Sequence, residues 1–293
     1  MIETKKQIIF FFILITTLYC DLASPKPFIV KQPNGIELEI FNKGNHLQGW
    51  HEFNGWTILK NQNNWWVYAE GNRGRKLQPS NIKVGIDPEP NNLNLFIKKG
   101  IRPEPISLFD NAPIPNLNSS RTDTFHVPLV LVEFPDAASV YDSSDFELLM
   151  NQTGYTHLNY DNTGSFKDFF QEISYDQFLP ISEVTNWLMA PENHSHYSYS
   201  NPNGYDHVRD LVRHLVDELE DQGFDWSGFD NDGDGYVDAL NIVHQGAGAE
   251  QGDYSNIWSH KSSLGNQSVS YDGVIISSYT MNPEIQSGNI VAI

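Results

Sequence analysis

The sequence predicts an α/β domain preceded by a small β-rich module, and three observations predict it. Val127 to Phe134, VPLVLVEF, is a near-continuous apolar run with β-branched residues, the pattern of a strand covered on both faces. Tyr205, Val208, Leu211, Val212, Leu215, Val216 and Leu219 fall on one helical stripe. Residues 25–105 hold short alternating segments between turn residues, the pattern of a β-rich module.

The N-terminus reads as a secretory signal over residues 1–20. Lys5 and Lys6 form its charged region, and Ile8 to Tyr19 its apolar region, too short for a membrane span of ~20 residues. Cleavage is expected after Cys20 or near Ala23. A lipoprotein cysteine is disfavoured by the bulky Tyr19 before it, and an uncleaved anchor is the remaining alternative. Cys20 is the single cysteine, so the mature chain is expected to carry no disulfide. In the β module, strands are expected at Ile36–Phe41, Trp56–Lys60, Trp65–Glu70 and Leu93–Lys98. Pro33-Asn34-Gly35, Asn54-Gly55 and Gly71-Asn72 mark turns. Of seven tryptophans, Trp50, Trp56, Trp65 and Trp66 fall here. They could form a binding platform, but filling a small β core is the simpler expectation.

Residues 106–124 read as a linker, with Pro113 and Pro115 among Asn, Ser and Asp. The second domain, 125–293, opens with the apolar run. A helix is expected over Phe166–Tyr175, capped by Ser165 with Asp168 three residues on. Strands are expected at Phe178–Trp187, Ala239–Val243, Ile257–Lys261 and Gly273–Tyr279.

The totals exclude some functions. The chain has 293 residues, 39% hydrophobic and 13% aromatic, so it can bury a core. With 37 acidic and 18 basic residues its net charge is -19, which argues against a nucleic-acid partner. No other stretch could span a membrane once the signal is removed, and a monomer is expected.

Chemistry concentrates in FDNDGDGYVDALNIVHQGAGAE, Phe229 to Glu250. Asp230, Asp232 and Asp234 alternate, followed by Tyr236 and Asp238, with Gly233 and Gly235 between them. Calcium takes six to eight hard oxygens, and a tight loop supplies them when carboxylates recur every second residue. The expected ligands are Asp230, Asp232, Asp234, the Tyr236 carbonyl and Asp238. Asn241 stands where an EF-hand would place its bidentate Glu, so the loop belongs to another context. The competing reading is a solvated acidic turn with no ion.

Other candidates are weaker. His51-Glu52 begins a His-Glu-x-x-His zinc motif, but Gly55 stands at the last position. His207, Asp210 and His214 share a helical face, which reads as solvated surface. His194 and His196 read as loop residues. His244 and His260 follow strands, with structural hydrogen bonding as the default role. No nucleophile elbow or phosphate loop occurs.

Gly164–Phe178 (GSFKDFFQEISYDQF), Asp230–Glu250 and Ile257–Lys261 (IWSHK), in that order, resemble the secreted metalloproteases of the immune inhibitor A family. The region before Phe125, with QPNG at Gln32–Gly35 and NNWWVYAE at Asn63–Glu70, is similar to that family's propeptide-like module. The resemblance implies that residues 125–293 form a zincin-like upper subdomain, a twisted mixed sheet with two long helices and the calcium loop. It implies protein or peptide substrates, secretion and catalytic zinc. Tyr271 to Tyr279 would then be the edge strand that receives an extended substrate. The zinc ligands would come from a His-Glu-x-x-His helix, and the 293 residues stop before it, so no catalytic residue is assigned. The expected protein is therefore the N-terminal portion of a secreted zinc endopeptidase, inactive alone. The alternative is a secreted non-catalytic binding protein using the aromatic β module.

Overall fold

The structure, a computed structural model, describes residues 22–90, 97–105, 124–156 and 163–291. The signal segment with Cys20, most of the expected strand Leu93–Lys98 and the linker up to residue 123 lie outside them.

The first module is a six-stranded antiparallel meander in sequence order: β1 (Phe28–Lys31), β2 (Glu37–Asn45), β3 (Gln48–Phe53), β4 (Trp56–Lys60), β5 (Trp66–Arg73) and β6 (Lys76–Lys83). Asn54 and Gly55 both take positive φ, 50° and 78°, so Phe53 faces Trp56 across a two-residue turn. Leu38, Ile40, Trp56, Ile58, Trp66 and Tyr68 form the core of the module. Trp50 is also buried and Trp65 half-buried.

The second domain is built on β7 (Thr124–Glu133), α1 (Ser143–Asn151), α2 (Phe166–Ile173), β8 (Leu179–Met189), α3 (Gly204–Asp221) and β9 (Asn241–Ala247). It continues with β10 (His260–Ser263), β11 (Val269–Tyr271), β12 (Val274–Ile276), β13 (Ser278–Gln286) and β14 (Asn289–Ile290). Its mixed sheet runs β10-β13-β9-β7-β8, with β14 paired to β13. β13, β9, β7 and β8 are parallel, and β10 is antiparallel to β13.

β7 is an interior strand, between β9 and β8, and is covered on both faces, as its apolar run requires. Val130 and Val132 join the core beneath α3, where Val208, Leu211, Val212, Leu215 and Val216 are buried. Leu129 and Leu131 face the other way, against Phe146 and Met150 of α1. Ser165 caps α2 as the sequence predicts: its Oγ accepts the Asp168 N–H at 3.1 Å, and Asp168 Oδ2 accepts the Ser165 N–H at 3.0 Å.

Three expectations are corrected. Only α3, with 18 residues, is a long helix among the described residues; α2 has 8, and it leaves Phe169 and Ile173 exposed. Tyr271–Tyr279 is not an edge strand. Asp272 and Gly273, with φ 50° and 85°, fold the chain into the β11-β12 hairpin, and β13 then enters the sheet between β10 and β9. The antiparallel edge is β10. His244 and His260 do not follow strands but lie within β9 and β10.

Candidate functional site

The acidic loop joins α3 to β9 and is fastened at both ends. Before it, Trp226 and Phe229 are buried, and Phe224 stacks on Phe229 with centroids 5.4 Å apart. Asn231 clamps the loop to the start of β7: its Nδ2 donates to the His126 carbonyl at 3.0 Å, and its Oδ1 accepts the His126 N–H at 2.6 Å. On the exit side, Ile275 of β12 donates to Gly235 O at 2.8 Å and accepts from Val237 N at 2.9 Å.

Within the loop the carboxylates organise the backbone. Asp230 Oδ1 accepts from Gly233 N and Asp234 N at 2.8 and 3.0 Å, and its Oδ2 from Gly235 N at 3.0 Å. Gly233 and Gly235 take φ 73° and 86°, which side chains rarely adopt, so the glycines permit the turn. Asp230, Asp232 and Asp238 each present an oxygen within 4.8 Å of the other two. Asp234 stands outside that trio, and its Oδ1 accepts from Tyr236 N at 2.9 Å. The donors are all hard carboxylate oxygens.

The residues present do not fit catalytic zinc, which takes three protein ligands, commonly imidazole. Among the described residues the Asp230, Asp232 and Asp238 trio is the one group of at least three His, Cys, Asp or Glu that converges, and it has no histidine. His51 and Glu52 lie on β3, where successive side chains point to opposite faces. The α3 candidates go separate ways. His207 stacks on His196 at 3.8 Å, Asp210 accepts from Gln267 Nε2 at 2.7 Å, and His214 pairs with Glu218 at 3.5 Å. His194 packs on Phe134 at 4.6 Å.

His244 and His260 are buried. Burial, with the neighbouring His194, pushes His244 down to about 3, and its Nδ1 donates to Gln245 O at 2.9 Å. Burial likewise pushes His260 to about 3, and its Nδ1 donates to Trp258 O at 2.7 Å. Sequence reading passed over Glu284. It is fully buried in β13, its Oε1 accepts from Val140 N and Tyr141 N at 2.6 and 2.7 Å, and its Oε2 accepts from Gly246 N at 2.9 Å. Flanking Pro283 hid it, because proline argues against a central strand.

The β module meets this domain at the β10 side. Tyr205 Oη of α3 donates to His46 O at 2.9 Å, and the His46 ring lies 6.1 Å from His260 of β10. Asn42 Nδ2 donates to Glu250 O at 3.0 Å, and His51 Nε2 to Gly252 O at 2.8 Å.

The second domain is thus a mixed sheet with one antiparallel edge, a long helix on its face and a carboxylate loop. Residues 118–292 match the immune inhibitor A peptidase M6 catalytic domain, and the chain belongs to that family of metallopeptidases. It is 27% identical over 191 residues to pre-pro-metalloprotease PrtV of Vibrio cholerae serotype O1, covering 53% of this chain and 20% of that protein. It is 30% identical over 131 residues to immune inhibitor A of Bacillus thuringiensis subsp. alesti, covering 37% of this chain and 19% of that protein. The alignments thus span about a fifth of the curated relatives' length.

Proposed function

We propose that this chain is the N-terminal portion of a secreted zinc-dependent endopeptidase acting on protein or peptide substrates. The observation that carries this reading is the match of residues 118–292 to a peptidase catalytic domain. In such an enzyme zinc polarises the scissile carbonyl and activates water, and three protein ligands plus a general base hold it. The 293 residues contain no His-Glu-x-x-His, so they supply the sheet and the substrate-facing edge rather than the metal. The edge belongs to β10 rather than Tyr271–Tyr279. The β module is propeptide-like, a reading supported by its β2–β3 hairpin lying beside His260 on that edge. Residues 1–20 are its secretion signal.

The acidic loop is a structural calcium site in this reading. Asp230, Asp232 and Asp238 meet in one place, and the alternating spacing adds Asp234 and the Tyr236 carbonyl to the proposed ligand set. The coding sequence beyond Ile293 tests the assignment. It should continue into His-Glu-x-x-His within on the order of ten residues, the length of a short connection. A stop codon or an unrelated domain there overturns it.

A further inference from the structure

We propose that the cleft between the β module and the second domain binds a small organic anion with an aromatic body. The cleft encloses about 860 Å³, within the range that takes such ligands. Phe28, Trp50, His51 and Trp66 line it from the β module, and Tyr199 and Tyr254 from the other side.

Most polar atoms of these rings are committed elsewhere; Trp66 Nε1 is buried without a partner among the described residues. Trp50 Nε1 donates to Glu52 at 2.8 Å, Tyr254 Oη to Asn42 at 2.6 Å and His51 Nε2 to Gly252 O at 2.8 Å. Tyr199 Oη accepts the Gly49 N–H at 2.8 Å. The neutral amides are occupied too. Asn201 Nδ2 donates to His196 O at 2.7 Å, and Gln251 Nε2 to Ile285 O at 2.8 Å. Most of what faces the space is ring surface and aliphatic carbon, Leu59 included, which suits an aromatic body.

Charge at the rim sets the sign of the ligand. Lys60, Arg75 and Lys76 stand there against Glu104 and Asp253. Asp253 Oδ1 already accepts from Ser255 N and Oγ at 3.0 and 2.7 Å. Lys60 lies over the Trp66 ring at 5.3 Å. Arg75 and Lys76 sit at the β5–β6 turn, exposed, with no ion pair among the described residues. Two unpaired cations side by side, on a chain of net charge -19, mark where an anion is held.

The full chain is titrated with 8-anilinonaphthalene-1-sulfonate and, separately, with N-phenyl-1-naphthylamine, which has the same aromatic body and no sulfonate. One saturable sulfonate site is expected, about tenfold tighter than the neutral probe. The double variant Arg75→Glu, Lys76→Glu should weaken the sulfonate about tenfold, leave the neutral probe unchanged and melt like the parent. Leu59→Trp, which fills the cleft, should weaken both probes. Absence of a saturable site, equal affinity for the two probes, or a charge-reversed variant that binds the sulfonate like the parent overturns the proposal.

Discussion

Asp230 shows how one carboxylate can shape a loop: with three backbone N–H groups donated to it, the turn is drawn before any cation arrives. Asp232 and Asp238 also accept backbone N–H groups, from Asp234 and Asn231, but their oxygens gather beside Asp230 and repel it unless a cation sits between them. A ligand that binds only the folded state adds stability, about 2.7 kcal/mol at a hundredfold excess over Kd. Asp232→Asn with Asp238→Asn should therefore lower the melting temperature in calcium and leave it unchanged in chelator. Equal melting of the parent protein with and without calcium would exclude the site. A second residue effect concerns protons. Burial, offset in part by the bond to Gly252, pushes His51 down to about 4, while His244 and His260 are pushed to about 3. In the unfolded chain each titrates near 6.5. Between those values the unfolded state binds more protons, so stability is full above about pH 6.5 and falls as pH drops through the window. Each group removes about 1.4 kcal/mol per pH unit there. Urea midpoints taken from about pH 7 to about pH 4 should decline; a flat series contradicts the neutral buried state of these rings.

Elements were legible where local and tertiary signals agreed. Trp56–Lys60 emerges as β4 with both ends as predicted, because Asn54-Gly55 fixes the turn before it. The apolar stripe of α3 is buried at every position from Val208 to Leu219 that the periodicity marked. Leu215→Ala in α3 should cost ~2–5 kcal/mol, read from the urea midpoint, since Leu215 lies fully buried beneath the sheet. A loss below about 1 kcal/mol would contradict that packing. α1 was missed because it buries only Phe146 and Met150 among polar neighbours, a stripe too sparse to register. β13 was cut short for another reason. The strand crosses Pro283, where its register against β9 shifts, and sheet pairing on both sides overrides the local signal. That pairing moved the edge from Tyr271–Tyr279 to β10. No periodicity could have told which strand lies outermost, because sheet order is set by contacts far apart in sequence.

At the scale of the molecule, the sequence separates two modules and the structure shows how closely they meet. A Cβ on Gly49 of β3 would come 2.6 Å from the Trp258 ring, and one on Gly252 would come 2.5 Å from Phe28. Both glycines are thus required by close approach across the contact. If proteolysis nicks the proline-rich 106–124 stretch, the two pieces should still co-elute in gel filtration, whereas Gly49→Val should let them separate. Separation of the parent pieces would contradict the contact. The metal chemistry is divided in the same spatial sense: these residues bring three carboxylates together, while the histidines among the described residues meet at most in pairs, such as His196 with His207 and His194 with His244. The most direct measurement is casein or peptide cleavage by the purified 293-residue polypeptide, with and without a zinc chelator. No cleavage above background is expected in either condition. Chelator-sensitive cleavage would contradict the assignment, and would mean that His207, Asp210 and His214 assemble a zinc site in solution.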